Sequence, residues 1–308
     1  MALKEKLARK KFVFTVELDP PLNMNIEYLL EDIRKYLSLT DAINITDCPL
    51  ASLRMSPIAL SHIIQEKVNL ETIFHITCRD RNLLALKAEL LGAYALGVKN
   101  ILALSGDHPK MGDHPNATAV FDVDSIGLIK IIEELNRGAF SGKKISNYRT
   151  EFFTGVAVNP DFKEDSKELS RLEEKFASGA NFIQTQPIFS IEVLEKFLNM
   201  TQHITIPKIV GIMPLRSTKM VDYIEKNLGH IFIPESIKSR MADAGIEEGI
   251  GLAQELIREF STIKEVAGIH LFPMNRLEII PKLIELNRDF DEHKDYDTVQ
   301  VLTDSDTN

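Results

Sequence analysis

Short runs of apolar and β-branched residues alternate along the chain with segments in which apolar residues recur three and four positions apart. Runs of the first kind suit strands that are buried on both faces, and segments of the second kind suit amphipathic helices. The apolar runs are KFVFTVELD (11–19), AINITDC (42–48), ETIFHITC (71–78), NILALSGD (100–107), FFTGVAV (152–158), FIQTQPI (182–188), PKIVGIMP (207–214) and GIHLFP (268–273). The helical segments include IEYLLEDIRKYL, PIALSHIIQEKV, LLALKAELLGAYALG, IGLIKIIEELN, LSRLEEKFASG and IEVLEKFLNM.

A strand followed by a helix, repeated eight times, predicts parallel pairing of the strands. Eight such units in 308 residues favour a single closed (β/α)8 TIM barrel of the α/β class, and an open doubly wound sheet is the alternative. No interdomain linker is apparent, so we expect one barrel domain over residues 1–288. We interpret 289–308, which are acidic and lack helical periodicity, as a flexible tail. We expect 138–150 to be an unstructured connection into strand five, at the end opposite the active site.

Composition narrows the range of partners and compartments. Lys plus Arg number 36 and Asp plus Glu 45, so the net charge of −9 argues against nucleic acid or an acidic membrane as the main ligand. Two cysteines, Cys48 and Cys78, neither of them in a CxxC motif, favour a reduced intracellular compartment. The N-terminal MALKEKLARKKF lacks the apolar core of a signal peptide. We therefore expect a cytoplasmic enzyme with no membrane or nucleic-acid partner.

In a parallel barrel, the chemistry gathers at the carboxyl ends of the strands. The side chains that the predicted strands bring there are Glu17, Asp19, Thr46, Asp47, His75, Thr77, Asp107, Asn159, Gln184, Gln186, Asn275 and Arg276. The sequence GDHP occurs twice, at 106–109 and 112–115. Asp107 directly follows a strand and Asp113 stands further on in the loop. Only Asp107 is therefore predicted to be held rigidly over the barrel axis.

Glu17 is the strongest candidate for an acid. Apolar layers beneath it would raise its pKa toward neutrality, whereas Asp107, beside backbone amides and a glycine, could stay ionised. The competing interpretation of Glu17 is a buried acid paired with a barrel Lys or Arg. His75 could equally be a core histidine that donates to a backbone carbonyl. Gln184 and Gln186 could recognise the polar edge of a heterocycle or form cross-barrel hydrogen bonds.

Other chemistries fit the sequence less well. The possible metal ligands His75, Asp107, His108, Asp113 and His114 lack three-ligand spacing, and HP in a loop is typical of turns, so we expect no metal. GIEEGIGLAQE (245–255) lacks the third glycine of a dinucleotide fingerprint and is better explained as a helix start. Lys208 opens the seventh strand at the inactive end, which disfavours a Schiff-base lysine.

Seven motifs resemble, in order and spacing, those of the flavin-dependent 5,10-methylenetetrahydrofolate reductases: FTVELDPP, ITDCPLASLRMS, FHITCRDRN, LALSGDHPKMGDHP with AVFDVDS after it, FIQTQPIF, GIMPL and GIHLFPMNR. The resemblance covers roughly residues 10–288. It implies a barrel that binds FAD at the carboxyl ends of its strands and reduces 5,10-methylenetetrahydrofolate to 5-methyltetrahydrofolate, in the one-carbon metabolism that supplies methionine biosynthesis. NADH or NADPH would be the electron donor. The macromolecular partners would be further copies of the chain or an electron-donor subunit.

The resemblance also implies roles for individual residues. Glu17 matches the acid that protonates N10 of the folate, and Asp107 matches the aspartate whose charge stabilises the resulting 5-iminium cation and tunes the flavin. Gln186 matches the glutamine that hydrogen-bonds the pterin, and we take Gln184 as a further substrate contact. The predicted cofactor contacts are Thr46, His75, Ser105, Gly106, Asp107, Asn159, Lys175 and Arg276.

Two departures from the family pattern affect the electron donor. Ser105 stands where the family often has Arg, and RSTK follows GIMPL where some members have an aromatic residue that packs on nicotinamide or folate. An alternative function is therefore a flavin-bearing subunit that takes electrons from a partner protein rather than directly from NAD(P)H. A second alternative is a barrel lyase or pterin-binding transferase without a flavin.

Overall fold

Eight parallel strands close into a barrel in a computed structural model that describes residues 1–140, 143–144, 148–163, 166–227 and 231–285. The strands are β1 (Val13–Leu18), β2 (Ala42–Ile45), β3 (Thr72–Thr77), β4 (Asn100–Leu104), β5 (Phe153–Val158), β6 (Phe182–Pro187), β7 (Lys208–Ile212) and β8 (Val266–Leu271). Each strand pairs with its neighbour in sequence, and β8 pairs with β1. The predicted (β/α)8 barrel is confirmed, and the open sheet is wrong because no barrel strand is left at an edge. The predicted tail 289–308 lies outside the described residues.

The described helices comprise one that precedes β1 and others that follow the strands and surround the barrel. They are α1 (Leu3–Ala8), α2 (Glu27–Tyr36), α3 (Pro57–Val68), α4 (Leu83–Ala95), α5 (Ser125–Asn136), α6 (Lys167–Ala177), α7 (Ile191–Met200), α8 (Thr218–Asn227), α9 (Glu235–Met241), α10 (Ile246–Ser261) and α11 (Ile280–Glu285). Side chains that accept a backbone N–H cap the starts of α3 to α7, namely Ser56, Asn82, Asp124, Ser166 and Ser190. The glycine-containing segment at 245–255 begins α10, as predicted. No described helix combines the length and hydropathy that a bilayer span requires.

Two apolar cores lie on the two faces of the barrel wall. Phe14, Val16 and Leu18 of β1 pack between the strands and the helices. The other core fills the lower part of the barrel and consists of Leu3, Leu7, Val13, Ala42, Ile73, Leu102, Phe153, Phe182 and Ile209. Because side chains alternate along a strand, the face of β1 that carries Val13 also carries Thr15 and Glu17.

Helix α1 closes the amino end of the barrel, and the sequence patterns did not predict it. Its Leu3 and Leu7 are buried against the lower barrel core. Lys6 forms an ion pair with Asp41, and the backbone N–H of Leu3 donates to Oε2 of Glu71 at 3.1 Å. The barrel interior is therefore sealed at the end opposite the predicted site.

The connection at 138–150 is not simply unstructured. Ala139–Phe140 pairs antiparallel with Lys143–Lys144. The expectation of an irregular segment is therefore wrong for this described part. Its placement between α5 and β5 agrees with the prediction that it lies at the end opposite the site.

Gly268 lies where β8 comes closest to β1. A Cβ added there would be 2.3 Å from the backbone oxygen of Val13 and 2.5 Å from its Cγ2. We expect Gly268→Ala to lower the free energy of unfolding by about 1–3 kcal/mol, because neither atom can move without disturbing the β1–β8 pairing.

The matched control is Gly251→Ala in α10, where an added Cβ meets nothing within 4 Å. Alanine is preferred to glycine in helices by up to about 1 kcal/mol, so this variant should be unchanged or more stable. Urea unfolding followed by circular dichroism measures both effects. A Gly268→Ala midpoint equal to that of the wild type would contradict the packing argument.

Candidate active site

Glu17 lies at the carboxyl end of β1 and on the inner face of the barrel. It shares that face with Val13, in the lower core, and with Thr15, whose Oγ1 lies 2.9 Å from Nδ1 of His270 on β8. Its neighbour in the β1–β2 ladder is Asn44. The carboxyl group is therefore directed into the barrel and not toward the surrounding helices, as the acid role requires.

The Glu17 carboxyl has a strongly raised pKa. Burial raises the pKa from 4.5 to about 8, and the negative charge of Asp19 is the second cause. Among the described residues, none forms a hydrogen bond or an ion pair with this carboxyl group. The interpretation of Glu17 as an acid neutralised by a barrel cation is thus wrong for the described chain. At neutral pH the group is mostly protonated, which is the state that a general acid needs.

Asp19 lies just past the end of β1 and is held by β2. Its Oδ1 accepts a hydrogen bond from Oγ1 of Thr46 at 2.7 Å. The buried Thr46 hydroxyl therefore anchors the charge that helps to keep Glu17 protonated. Its predicted contact with a cofactor stays a prediction.

A layer of polar side chains lies inside the barrel around Asn44, His75 and Gln184. The amide nitrogen of Asn44 donates to Oε1 of Gln184 at 2.9 Å and lies 3.1 Å from Nε2 of His75. The three side chains are 0%, 5% and 4% exposed, respectively, so they lie below the open mouth. His75 thus contacts a side chain and not the backbone carbonyl of the alternative interpretation. Gln184 makes the cross-barrel hydrogen bond that was the alternative, which corrects its assignment as a substrate contact.

The buried histidines are neutral. Burial lowers the pKa of His75 to about 4, an effect that the charge of Asp47 partly opposes. Burial also lowers the pKa of His270 well below its usual value. In the described part of the barrel interior, two buried polar atoms lack a partner, Oδ1 of Asn44 and Nε2 of His270.

Sequence reasoning overlooked Asn44 and His270. Both stand as single polar residues within apolar runs, AINI and GIHLF. That is the same signal that identified His75, so both were recognisable from the sequence.

The carboxylates of the two GDHP motifs bind the same loop, which follows β2. Oδ2 of Asp107 accepts the backbone N–H of Leu50 at 3.1 Å. Both carboxylate oxygens of Asp113 accept the backbone N–H of Leu53, at 3.1 and 3.0 Å. Asp107 is exposed and lies three residues beyond Leu104, the last residue of β4. The strand therefore does not hold Asp107 by itself, because a contact with the neighbouring loop positions it. Its predicted place over the barrel axis stays a prediction.

The loop that these carboxylates hold has an unusual backbone. Cys48, Leu50 and Ala51 have φ angles of 48°, 52° and 55°, a left-handed conformation that costs roughly 1 kcal/mol or more for each non-glycine residue. A Cβ added to Gly112 would lie 1.9 Å from the backbone oxygen of Ala51. The second GDHP is thus a structural clamp on the loop, in agreement with its interpretation as loop.

Asp47 also lies at the mouth, but it braces two loops. Its Oδ2 accepts the backbone N–H of Thr77 at 2.8 Å, the Thr77 hydroxyl at 2.9 Å and Nη1 of Arg81 at 2.7 Å. The side chain of Arg79, in the loop after β3, extends to the loop after β2, where its Nη1 donates to the backbone oxygen of Cys48 at 3.1 Å. These bonds join the loops after β2 and β3 and occupy the Asp47 carboxylate.

Gly106 brings the backbone close to β3. Its φ is +87°, and a Cβ added there would lie 2.9 Å from Cβ of Thr77. Only glycine therefore fits at this position. The preceding Ser105 is turned to α5, where its Oγ accepts the backbone N–H of Ser125 at 3.1 Å.

Lys175 and Asn159 both lie by the carboxyl end of β5. Nζ of Lys175, on α6, donates to the backbone oxygen of Ala157 at 2.8 Å, and burial lowers its pKa. Oδ1 of Asn159 accepts the backbone N–H of Asp161 at 3.3 Å. Their predicted contacts with a cofactor stay predictions.

Gln186 lies on an irregular part of β6. The β6–β7 ladder shifts register between Gln184 and Pro187. Thr185 bridges this irregularity, because its Oγ1 donates to the backbone oxygen of Gln186 and accepts the N–H of Gly211, both at 2.8 Å. The Gln186 side chain has no hydrogen-bond partner among the described residues, so its amide is available to a ligand.

Arg276 follows β8, after two residues with left-handed backbone, Met274 and Asn275. Its side chain is exposed and forms an ion pair with Glu278. An exposed pair of this kind is weak, so a bound anion could take the place of Glu278.

Cavities lie at both ends of the barrel. One of about 160 Å³ opens between the loops after β2, β3 and β4, where its lining includes Cys48, Arg79 and Asp113. A larger one of about 420 Å³ lies at the amino end beside α1, and none of the predicted site residues lines it. In the described chain, no group of three or more His, Cys, Asp or Glu is arranged to hold a metal ion.

Comparison with known proteins gives matches along most of the chain. The sequence profile of the family described as methylenetetrahydrofolate reductase matches residues 2–287. Methylenetetrahydrofolate reductase 2 of Saccharomyces cerevisiae is 28% identical over 256 residues, which cover 72% of this chain and 39% of the yeast protein. The probable methylenetetrahydrofolate reductase (NADPH) of Caenorhabditis elegans is 28% identical over 312 residues, or 92% of this chain and 44% of the worm protein. The chain thus spans about two-fifths of the length of these relatives.

A solved structure gives the same fold. A Clostridium thermocellum protein, described as binding two copies of 5-methyl-5,6,7,8-tetrahydrofolic acid, matches with a TM-score of 0.63 and 16% identity over 94% of this chain and 99% of that one. At this identity the match supports the barrel fold alone. The family profile, by contrast, covers the barrel from α1 to α11. The chain belongs to the methylenetetrahydrofolate reductase family.

Proposed function

We propose that the protein is a FAD-dependent oxidoreductase that reduces 5,10-methylenetetrahydrofolate to 5-methyltetrahydrofolate. Membership of the family supports the substrate and the reaction. The observation that carries the proposal is Glu17, an inward-facing carboxyl group with a pKa of about 8 and no partner among the described residues. An acid that is protonated at neutral pH is what opening of the folate ring requires.

Donor groups near the mouth of the barrel fit a flavin, because Nδ1 of His75 has no partner among the described residues and Arg276 is held in an exposed pair with Glu278. His75, Lys175 and Arg276 could supply hydrogen-bond donors to the carbonyl and phosphate oxygens of such a cofactor. Reduced FAD, when bound there, supplies the hydride for the exocyclic methylene carbon of the folate.

Glu17 makes that carbon electrophilic. Its carboxyl group donates a proton to N10 of the folate, and the bond between N10 and the methylene carbon breaks. The substrate is then a 5-iminium cation, which can accept a hydride. Because no described cation holds Glu17 in its ionised form, the proton is available at neutral pH.

Asp107 and Gln186 act on the same substrate. The Asp107 carboxylate, which is positioned by the Leu50 N–H, supplies the negative charge that stabilises the 5-iminium cation. The free amide of Gln186 can pair with the polar edge of the pterin. Gln184 is left out of this set because its oxygen is bonded to Asn44.

The flavin and the electron donor are tested on the purified chain. We expect flavin absorbance in the protein as isolated, and bleaching of that absorbance on anaerobic titration with NADH or NADPH. A colourless protein that also fails to bind added FAD would refute the proposal and favour a flavin-free lyase or transferase. Bound FAD that neither nucleotide reduces would favour the flavin-bearing subunit that depends on a partner, for which Ser105 in place of Arg is the motivating feature.

Glu17→Gln removes the proton and keeps the shape of the side chain. We expect folate reduction to fall by about 10²- to 10⁴-fold, because that is the usual size of a general-acid effect. FAD affinity and the rate of flavin reduction by the nucleotide should stay near those of the wild type. Stopped-flow absorbance measures the two half-reactions separately.

The pH profile is the control for this role. Glu17 is protonated below its pKa of about 8, so wild-type folate reduction should decline as the pH rises through that value. The residual rate of Glu17→Gln should not change over the same range. A variant rate close to that of the wild type, or the same profile in both proteins, would show that another group supplies the proton.

Asp107→Asn removes a charge while an amide oxygen can still accept the Leu50 N–H. We expect folate reduction to slow by about 10- to 100-fold and flavin reduction to change by less than about threefold, because the charge acts when the cation forms. Asp113→Asn is the matched control, since Asp113 holds the same loop through Leu53. Stopped-flow measurement of both half-reactions tests this, and equal losses in the two steps, or equal effects of the two variants, would contradict it.

A further inference from the structure

His75 lies at the boundary between the sealed barrel interior and the mouth. Its Nε2 faces the amide nitrogen of Asn44 at 3.1 Å. Its Nδ1 has no partner among the described residues and is not fully buried. Nδ1 therefore keeps contact with solvent. Because the lower core and α1 close the other end, that contact is on the side of the mouth.

The contact with Asn44 determines which ring nitrogen carries the proton. An amide nitrogen has two protons to donate and no lone pair to accept with. The Asn44 nitrogen gives one proton to Oε1 of Gln184, 2.9 Å away, and the other points at Nε2 of His75. Nε2 is thus the acceptor, and in a neutral ring the proton must be on Nδ1.

Gln184 holds Asn44 in this orientation. If the Asn44 amide alone were turned over, its oxygen would face Oε1 of Gln184 at the present 2.9 Å separation, and two acceptors would repel each other. With Gln184 in this orientation, the cross-barrel bond between β2 and β6 determines which ring nitrogen of His75, on β3, is protonated.

We propose that Asn44, held by Gln184, is a positioning residue that fixes His75 as the Nδ1–H tautomer and so presents an N–H donor at the mouth to an acceptor atom of FAD. The part of this inference that concerns FAD rests on the proposed function. The part that concerns the tautomer rests only on the contacts of the barrel interior.

The fixed tautomer also prevents His75 from taking up the proton that Glu17 donates. The lone pair of His75 is turned inward and is already bonded to Asn44. Burial further lowers the pKa of His75 to about 4, so the ring does not take up a proton at neutral pH. A histidine with a free lone pair at the mouth would instead offer a base there. His75 can therefore serve as a donor without competing for the catalytic proton.

Nitrogen NMR of the full chain labelled at histidine tests the tautomer directly. The His75 signals are assigned by their loss in His75→Gln. We expect the wild-type Nδ1 to show a protonated, pyrrole-type shift and Nε2 an unprotonated, pyridine-type shift at neutral pH. A wild-type His75 protonated at Nε2 overturns the proposal, whatever the variants do.

Two substitutions of Asn44 test the cause. In Asn44→Asp at most one carboxyl proton replaces the two amide protons, so Gln184 and His75 can no longer both receive one, and the single Nδ1–H form should be lost. In Asn44→Leu the single-tautomer pattern should be lost, with no charge added. Thr15→Val is the matched control, because Thr15 lies in the same interior but bonds to His270, and it should leave the His75 pattern unchanged. An unaltered pattern in both Asn44 variants overturns the positioning role.

A double-mutant cycle on FAD affinity tests whether the His75 N–H that Asn44 fixes contributes to FAD binding. We expect Asn44→Leu to weaken FAD binding by about 2- to 10-fold, the usual loss for one misdirected neutral hydrogen bond. In a His75→Phe background the same substitution should have no further effect, because Asn44 acts through the ring. A full effect in that background overturns the proposed donor role. A chain that binds no FAD refutes the proposed function instead, and the NMR result stands apart from it.

Discussion

The structure depends on polar groups that the closed barrel removes from water. A carboxyl group in such a place must find a cation, lose its charge or destabilise the fold. Glu17 has no cation among the described residues, so it loses its charge and retains its proton. The neutral histidines below it follow from the same constraint. The protonated state of Glu17 is thus a consequence of desolvation, which the closed barrel imposes.

Much of the fold could be predicted from the sequence. Each barrel strand begins and ends close to the corresponding apolar run, because buried parallel strands need continuous apolar residues. Helix α1, which plugs the barrel, was missed because MALKEKLARKKF is strongly basic. Leu3 and Leu7 acquire a partner only when the barrel closes. The short antiparallel pairing of 139–140 with 143–144 was not predicted, because the polar residues and glycines around it give no strand pattern.

The candidate site was predictable to a different degree at each residue. Glu17 was found because an acid in an apolar strand is rare. Gln184 and Gln186 looked alike in sequence, and only the cross-barrel distance to Asn44 separates a structural amide from one that is free for a ligand. The position of Asp107 could not be predicted, because it depends on the backbone N–H of Leu50 in a loop some sixty residues earlier. Contacts of this kind carry no periodic signal.

The closed floor of the barrel also constrains the order of events in a catalytic cycle. Below Thr15 and Asn44 the described part of the interior is filled by the apolar core, capped by Leu3 and Leu7. No chain of polar groups in that described core could conduct a proton from the amino end. In the proposed reaction, Glu17 would therefore regain its proton through the mouth of the barrel, which would also admit the substrate and release the product. Reprotonation of the acid and exchange of ligands would share that opening, so the site would have to open to water once in each turnover.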